Sequence, residues 1–319
     1  MSGFKSKEQS RKLILGSGLA AGLAANLLAA AKNISLVWAR DVQISPIPEL
    51  LPRRQFFDAL DVTQCEEALA VSEVAPSVQE VVWVEGGTRR TRRLVSTDEF
   101  LVYEKGRLAA WLRDRAIAAG VPSIMLDKPS ETVNLNSYQL VLDCRGYNAV
   151  SNNPDYEVTR ETQARTSCTY AIFNRPESIA VNQMVFWSMP GEGKVQQTFF
   201  YVPFGGDAMS VGCSCTPTKR IDINTVLGAA RDFGLPVDAE HIRFTGEATP
   251  HIDIVKALTP HVKPIGEAAR RSCPLTEYGA MVALSQLLQL VGKSGLPSLA
   301  LIRPTHYQID PHIPLELFL

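Results

Sequence analysis

The sequence has no surplus of either charge. Lys and Arg number 32 against 33 Asp and Glu in 319 residues, for a formal net charge of −1 and a pI near 6.5. Without a global basic field, neither nucleic acid nor an anionic membrane is a default partner. Histidine is scarce, and His241, His251, His261, His306 and His312 show no ligand spacing. The six cysteines (Cys65, Cys144, Cys168, Cys213, Cys215, Cys273) are scattered. That excludes a small disulfide scaffold and reads as reduced thiols of a cytoplasmic protein. Cys213-x-Cys215 would point two thiols to one face of a strand, but no Cys- or His-rich partner accompanies it, so no metal site is expected. Internal repeats and low-complexity segments are absent.

Uninterrupted apolar runs are also missing. Lys5, Lys7, Arg11 and Lys12 precede an apolar stretch from Leu13 to Ala31 that ends in three alanines, which is the layout of a secretory signal. Gly16-Ser17-Gly18 interrupts it, Asn26 sits inside it, and "NISLVWARD" follows as a second buried strand. Strand, glycine turn, helix and strand therefore form the better reading, a β-α-β unit of about 30 residues with no transmembrane segment.

What is present is ordinary for a globular chain: 45% hydrophobic and 20% charged residues. The length allows two domains, or one with an inserted lobe. Strands are expected at 13–16 and 34–39 around a helix at 18–31. Residues 42–52 read as irregular because of Pro46, Pro48 and Pro52. "VVWVEGGTRRTRRLVS" reads as a hairpin. Its Arg89, Arg90, Arg92 and Arg93 suit a pyridine-nucleotide phosphate or, more simply, a solvated edge. "GRLAAWLRDRAIAAGV" is an amphipathic helix closing at Gly120, with Leu108, Trp111, Leu112 and Ile117 as its buried stripe. "LVLDCRG" joins a buried strand to a polar turn.

The texture then changes. "TSCTYAIFN", "SIAVNQMVFWSM", "VQQTFFYVPF" and "AMSVGCSC" are four strand-like runs, the last three an expected antiparallel meander because glycine-rich turns separate them. Trp187, Phe199 and Tyr201 on it could floor a substrate pocket or pack the core. A helix at 223–234 has Asp222 as its N-cap. A last helix, 276–291, has Met281, Leu284, Leu288 and Val291 as its core side. The reading is α/β: residues 1–150 and 251–319 as a discontinuous dinucleotide-binding domain, and 151–250 as an antiparallel-sheet lobe.

Gly16-x-Gly18 between strand and helix has backbone reasons. The first glycine permits the tight turn, and the second lets a pyrophosphate approach main-chain N–H groups. Ala21 holds the third fingerprint position beside Gly22. Alone, the pattern is equally met by close packing. Three stretches taken together are more specific. "LILGSGLAAGLAANLLA", "LVLDCRG" and "PIGEAARRSCPLTEYGAMVAL" resemble, in order and spacing, the FAD-dependent monooxygenase superfamily. That group includes the para-hydroxybenzoate hydroxylase type, flavin-dependent halogenases, geranylgeranyl reductases and lycopene cyclases. Gly266, Ala268, Ala269, Pro274, Leu275, Thr276, Gly279, Ala283 and Leu284 match its third signature.

The resemblance implies a Rossmann-like FAD-binding domain with an inserted antiparallel β-sheet substrate lobe. It implies FAD contacts at Gly16, Gly18, Ala21, Gly22, Arg40, Gly146, Gly266, Glu267, Pro274 and Gly279. The chain departs from the family at Ala39, where an acid is usual, at Glu267 for Asp, at Arg270 for His, and at Glu277 where Gly is usual. The implied activity is that of a flavin-dependent monooxygenase on an apolar or aromatic small molecule. NAD(P)H would be the reductant, directly or through a flavin reductase or carrier partner. Two other readings stay open: a flavin-using non-redox cyclase with Glu277 as general acid, and an accessory protein that kept the fold and lost the cofactor. Without the resemblance, Glu277 is simply a first-turn carboxylate.

Overall fold

The short run "KLIL" is apolar on both sides, as a strand buried on two faces must be. It forms β1 (Lys12–Leu15), the centre of a five-stranded parallel sheet. The computed structural model describes residues 11–30, 33–39, 48–52, 56–57, 60, 77–85, 87–93, 100–127, 133–163, 167–190, 196–204, 207–216, 220–247, 251–271 and 279–292. β1 is flanked by β2 (Ile34–Ala39) and β9 (Leu140–Asp143), with β8 (Ser123–Leu126) and β17 (Val262–Pro264) at the edges. Leu15 sits between Val37 and Asp143, so the C-terminal ends of the three middle strands are level.

One face of this sheet is covered by three helices: α1 (Leu19–Leu27), α2 (Lys105–Ala118) and α5 (Gly279–Leu290). Leu23, Leu108, Leu112, Leu284 and Leu287 fill the space between them. On α2 the buried positions are Leu108, Ala109, Leu112 and Ala116, while Ile117 is 38% exposed and Trp111 is half-buried. The buried side thus falls on Ala109 and Ala116 rather than Ile117, and Gly22 of α1 closes on Leu112 and the Ala109 carbonyl. The other face carries a three-stranded sheet of β10 (Tyr156–Gln163), β16 (His251–Ala257) and β18 (Arg270–Arg271). Tyr156 and Val255 pack there on Leu13 and Val141.

A seven-stranded sheet forms the second layer, in the order β15-β11-β14-β13-β12-β5-β6. Its members are β5 (Glu80–Glu85), β6 (Thr88–Arg93), β11 (Ser167–Asn174), β12 (Gln183–Pro190), β13 (Gln196–Phe204), β14 (Ala208–Thr216) and β15 (Ile242–Glu247). β12, β13 and β14 make the expected meander. The hairpin β5–β6 lies within residues 1–150 of the sequence, yet β5 pairs parallel with β12, Phe186 opposite Trp83. The seven-stranded sheet thus draws strands from residues 80–93 as well as 167–247, and the Arg-rich β6 is its edge. α4 (Ile223–Asp232), capped by Asp222 accepting from the Thr225 N–H at 3.0 Å, covers the outer face.

Residues 48–52 correct the irregular reading. β3 (Pro48–Pro52) pairs antiparallel with β7 (Phe100–Glu104), which also carries β4 (Ser77–Val78) on its other side. β3 lies at the sheet's edge, where its two prolines at the ends lose no ladder bond.

Candidate functional site

β1 delivers the chain into Gly16, whose φ of 144° is a conformation L side chains rarely adopt. A Cβ there would lie 2.6 Å from the Cys144 carbonyl oxygen, so the turn is pressed against the end of β9. The Gly16 N–H donates to the Val37 carbonyl at 2.9 Å. Ser17 Oγ accepts from the Ala39 N–H at 2.9 Å and donates to the Ala39 carbonyl at 3.0 Å, tying the turn to the end of β2. Gly18 then begins α1 with extended backbone, φ −86° and ψ −174°. A Cβ on Gly18 would meet no protein atom within 4 Å. No side chain caps the helix, and first-turn N–H groups have no intrahelical acceptor. Free donors, open space and the positive end of a helix dipole together form a seat for an anion.

The third fingerprint position faces inward. Ala21 is buried, and a Cβ on Gly22 would come 2.7 Å from Leu112 Cβ. Gly22 therefore sits where α1 crosses α2.

The loop after β17 reaches the same helix. Gly266 has φ 62°, and a Cβ on it would stand 3.1 Å from Ala20 Cβ and 3.2 Å from Ala283 Cβ. Gly16 and Gly266 therefore flank one end of α1, although 250 residues separate them in sequence. The Gly266 N–H donates to Gln286 Oε1 at 2.8 Å. Glu267 accepts from Lys105 Nζ at 2.7 Å, and Lys105 is 12% exposed against 51% for Glu267. Nothing in the local sequence around either residue marks this pair, which joins separate elements. Gly279 opens α5. Arg40, Pro274 and Glu277 lie outside the described residues.

Beside the glycine turn, the Asp143-to-Gly146 segment holds a polar cluster. Asp143 is fully buried and accepts from Arg145 Nε at 3.0 Å, from Arg145 Nη2 at 2.7 Å and from the Arg145 N–H at 3.1 Å. The Tyr156 hydroxyl donates to the same carboxylate, and the Tyr147 hydroxyl donates to buried Asp253. Gly146, at φ 87°, starts the short α3 (Tyr147–Val150). Burial pulls the Arg145 guanidinium down, but the bond to Asp143 and its charge hold it above its ordinary value. Burial and then the Asp143 charge push both the Cys144 thiol and the Tyr156 phenol up. A buried acid two residues before an Arg was a usable sequence signal; its Tyr156 partner was not.

Because the folded pKa of Tyr156 is raised, its contribution is complete below the unfolded value near 10 and is lost as pH rises through the folded value. Tyr156→Phe should remove that loss. Urea titrations from pH 9 to 11 are expected to show wild-type stability falling faster than that of the variant, by at most about 1.4 kcal/mol per pH unit. Parallel curves would mean that the phenol titrates as it does in the unfolded chain.

Trp187 stacks between Phe199 and Phe233, with ring centroids 5.6 and 4.4 Å apart. With Tyr201 it lies in the core that α4 covers, so these aromatics pack rather than floor a pocket. Cys213 and Cys215 are in the same core, their sulfurs 3.8 Å apart, and no cluster able to hold a metal ion is found among the described residues. The inner face of the sheet does contain a cavity of about 230 Å³, where Ile172, Phe204 and Phe244 meet Glu104 and Arg107 at the start of α2.

No protein-family model matches the chain, and no curated protein matches it by sequence. Solved structures match it well. A tryptophan 6-halogenase from Streptomyces toxytricini superposes with a TM-score of 0.67 at 14% identity, over 91% of this chain and 73% of that one. A flavin-dependent brominase gives 0.60 at 13%, over 94% and 82%. An oxygenase acting on 2-methyl-3-hydroxypyridine-5-carboxylic acid gives 0.61 at 15%, over 89% and 82%. The chain shares the fold of these flavin-dependent halogenases and this oxygenase. Within that fold, a Rossmann-like parallel sheet and an antiparallel sheet share one core, to which α1 also contributes. No helix among the described residues is long and apolar enough to cross a membrane.

Proposed function

We propose that the chain is a flavin-dependent oxidoreductase, with hydroxylation of an apolar or aromatic metabolite as its reaction. The observation that carries this reading is the uncapped, open N-terminus of α1 between Gly16 and Gly266. An FAD pyrophosphate fits it by charge, by hydrogen-bond type and by the space a Cβ at Gly18 would fill. Gly146, Gly266, Glu267 and Gly279 would follow the ribityl chain and ring, with Arg40 and Pro274 completing the contacts. Ala21 and Gly22 would support the site by letting α1 pack closely. The flavin, when bound, supplies electron transfer and oxygen activation. The chain's own residues bind it, keep water from the apolar junction and position the substrate against the lobe. Residues 1–150 with 251–319 would form the cofactor domain and 151–250 most of the substrate lobe, with hairpin β5–β6 added to the latter.

The test is the visible spectrum of the purified protein after gel filtration. A retained flavin band, followed by NAD(P)H consumption coupled to oxygen uptake, is the expected result. A colourless protein that ignores added FAD would sink the reading.

A second reading, an accessory protein without cofactor, has its own support. The Ala39 backbone is already paired with Ser17, and the Gly266 N–H with Gln286. Neither group is then free to meet a dinucleotide.

Glu277 is proposed as the proton-holding residue near the ring. Glu277→Gln keeps the shape and removes the titrating group. The expected result is a turnover rate reduced at least about tenfold, with one limb of the pH profile lost. An unchanged rate and profile would leave Glu277 without a catalytic role.

A further inference from the structure

The last turn of α2 and the strand after it form one uncharged stretch. From Ala116 to Leu126 no residue carries a charge. Only Ala116 and Val121 in it are buried, while Ile117, Ala118, Ala119, Pro122, Ile124 and Met125 are exposed. Ile124 is 52% exposed and Met125 40%. They lie on opposite faces of the sheet: Ile124 pairs with Val37, of the core on one face, and Met125 with Trp38, which packs on the core of the other. The Gly120 turn fixes the stretch, its N–H donating to the Ile117 carbonyl at 2.9 Å and the Val121 N–H to the Ala116 carbonyl at 3.1 Å.

β8 is also an outer strand, paired among the described residues with β2 alone. Open edges template further strands, and charge or proline ordinarily blocks them. The other edge strands of three or more residues follow that rule. β6 has four arginines, β15 has Arg243 and Glu247, β17 has Lys263 and Pro264, β10 has Glu157, and β3 has two prolines. β8, Ser-Ile-Met-Leu, has neither.

Charge also indicates what covers it. A two-fold axis sets a strand against its own copy, so a run of one sign meets the same sign. β6 paired in this way would bring Arg to Arg. β8 brings no charges together, because alternation sets Ile124 against Ile124 or Leu126 of the second copy.

We propose that β8 is the dimer interface of this chain, two copies joining it antiparallel across a two-fold axis so that their five-stranded sheets run on as one. The Leu36 N–H donates to the Pro122 carbonyl at 2.9 Å, which turns Pro122 toward β2. The main-chain groups of Ser123 and Met125 therefore face outward and make the new ladder. The uncharged helix end, Ile117 to Ala119, puts no ionic group in the approach of the second copy.

Sedimentation velocity of the full chain tests this. The 35.0 kDa chain should sediment at twice its mass above about 50 µM, and amide exchange at Met125 should slow as concentration rises. Ile124→Lys sets two ammonium groups together and should weaken association at least about hundredfold. Ser123→Pro removes an outward N–H at the first position of the strand, keeps the bond to β2, and should weaken it about tenfold. Both sites are exposed, so both variants should keep the wild-type circular dichroism spectrum. Should Ile124→Lys misfold, Ser123→Pro and the Met125 exchange decide. A chain that stays monomeric to about 200 µM would overturn the proposal and leave this edge to a different protein. So would a dimer that the folded variants do not weaken, or Met125 exchange that ignores concentration.

Discussion

Gly18→Val should give a folded protein that cannot retain flavin. The extended backbone at Gly18 suits a β-branched residue, and its Cβ would point into open space, so no packing is disturbed. The expense within the protein is a poorer helix cap, about 1 kcal/mol, which lowers the melting temperature by only about 2 °C in a chain of this size. The same side chain would stand where a pyrophosphate must approach the first-turn amides. Flavin content after gel filtration should therefore fall to near zero while the circular dichroism spectrum is unchanged. Full flavin retention in the variant would show that the open mouth of α1 holds nothing.

Gly16→Ala should do the opposite and damage the fold itself. Its φ of 144° is unfavourable for alanine, and the new methyl would sit 2.6 Å from the Cys144 carbonyl. That oxygen belongs to backbone held by the Cys144 N–H bond to Leu15 at 2.7 Å, so neither side can yield cheaply. A loss of about 3 kcal/mol or more is expected in urea unfolding, from backbone strain and overlap together. A variant as stable as wild type would mean that β1 and β9 can slide apart at this point. Two glycines two residues apart thus have separable duties, one for the turn and one for the open space above the helix.

Much of the parallel unit was legible. β2 was readable from an apolar run bounded by Asn33 and a polar stretch, and its ends match the expected 34–39. Helix α4 was readable from Asp222 and its apolar spacing. The misreadings share a cause, which is that tertiary pairing is not local. Nothing in residues 80–85 says that their partner is β12 rather than a strand of their own segment. Ile117 fits an amphipathic pattern, but the helix crossing at Gly22 and Leu112 rotates the buried side toward Ala116. At the site, the glycines were visible because backbone demands select a residue type. Lys105 and Gln286 were not, because an ordinary Lys or Gln becomes informative only once Glu267 and Gly266 are seen beside it.

The seating of Gly266 against Ala20 also sets an order of events during synthesis. Ala283, Leu284 and Leu287, part of the core around α1, are synthesised some 260 residues after it. At about 5 to 20 residues per second, the apolar side of α1 waits on the order of tens of seconds for α5. Throughout that interval the nascent chain presents an unfinished parallel sheet and a bare helical face, the kind of surface chaperones bind. The anion seat is therefore walled in only after α5 has been made.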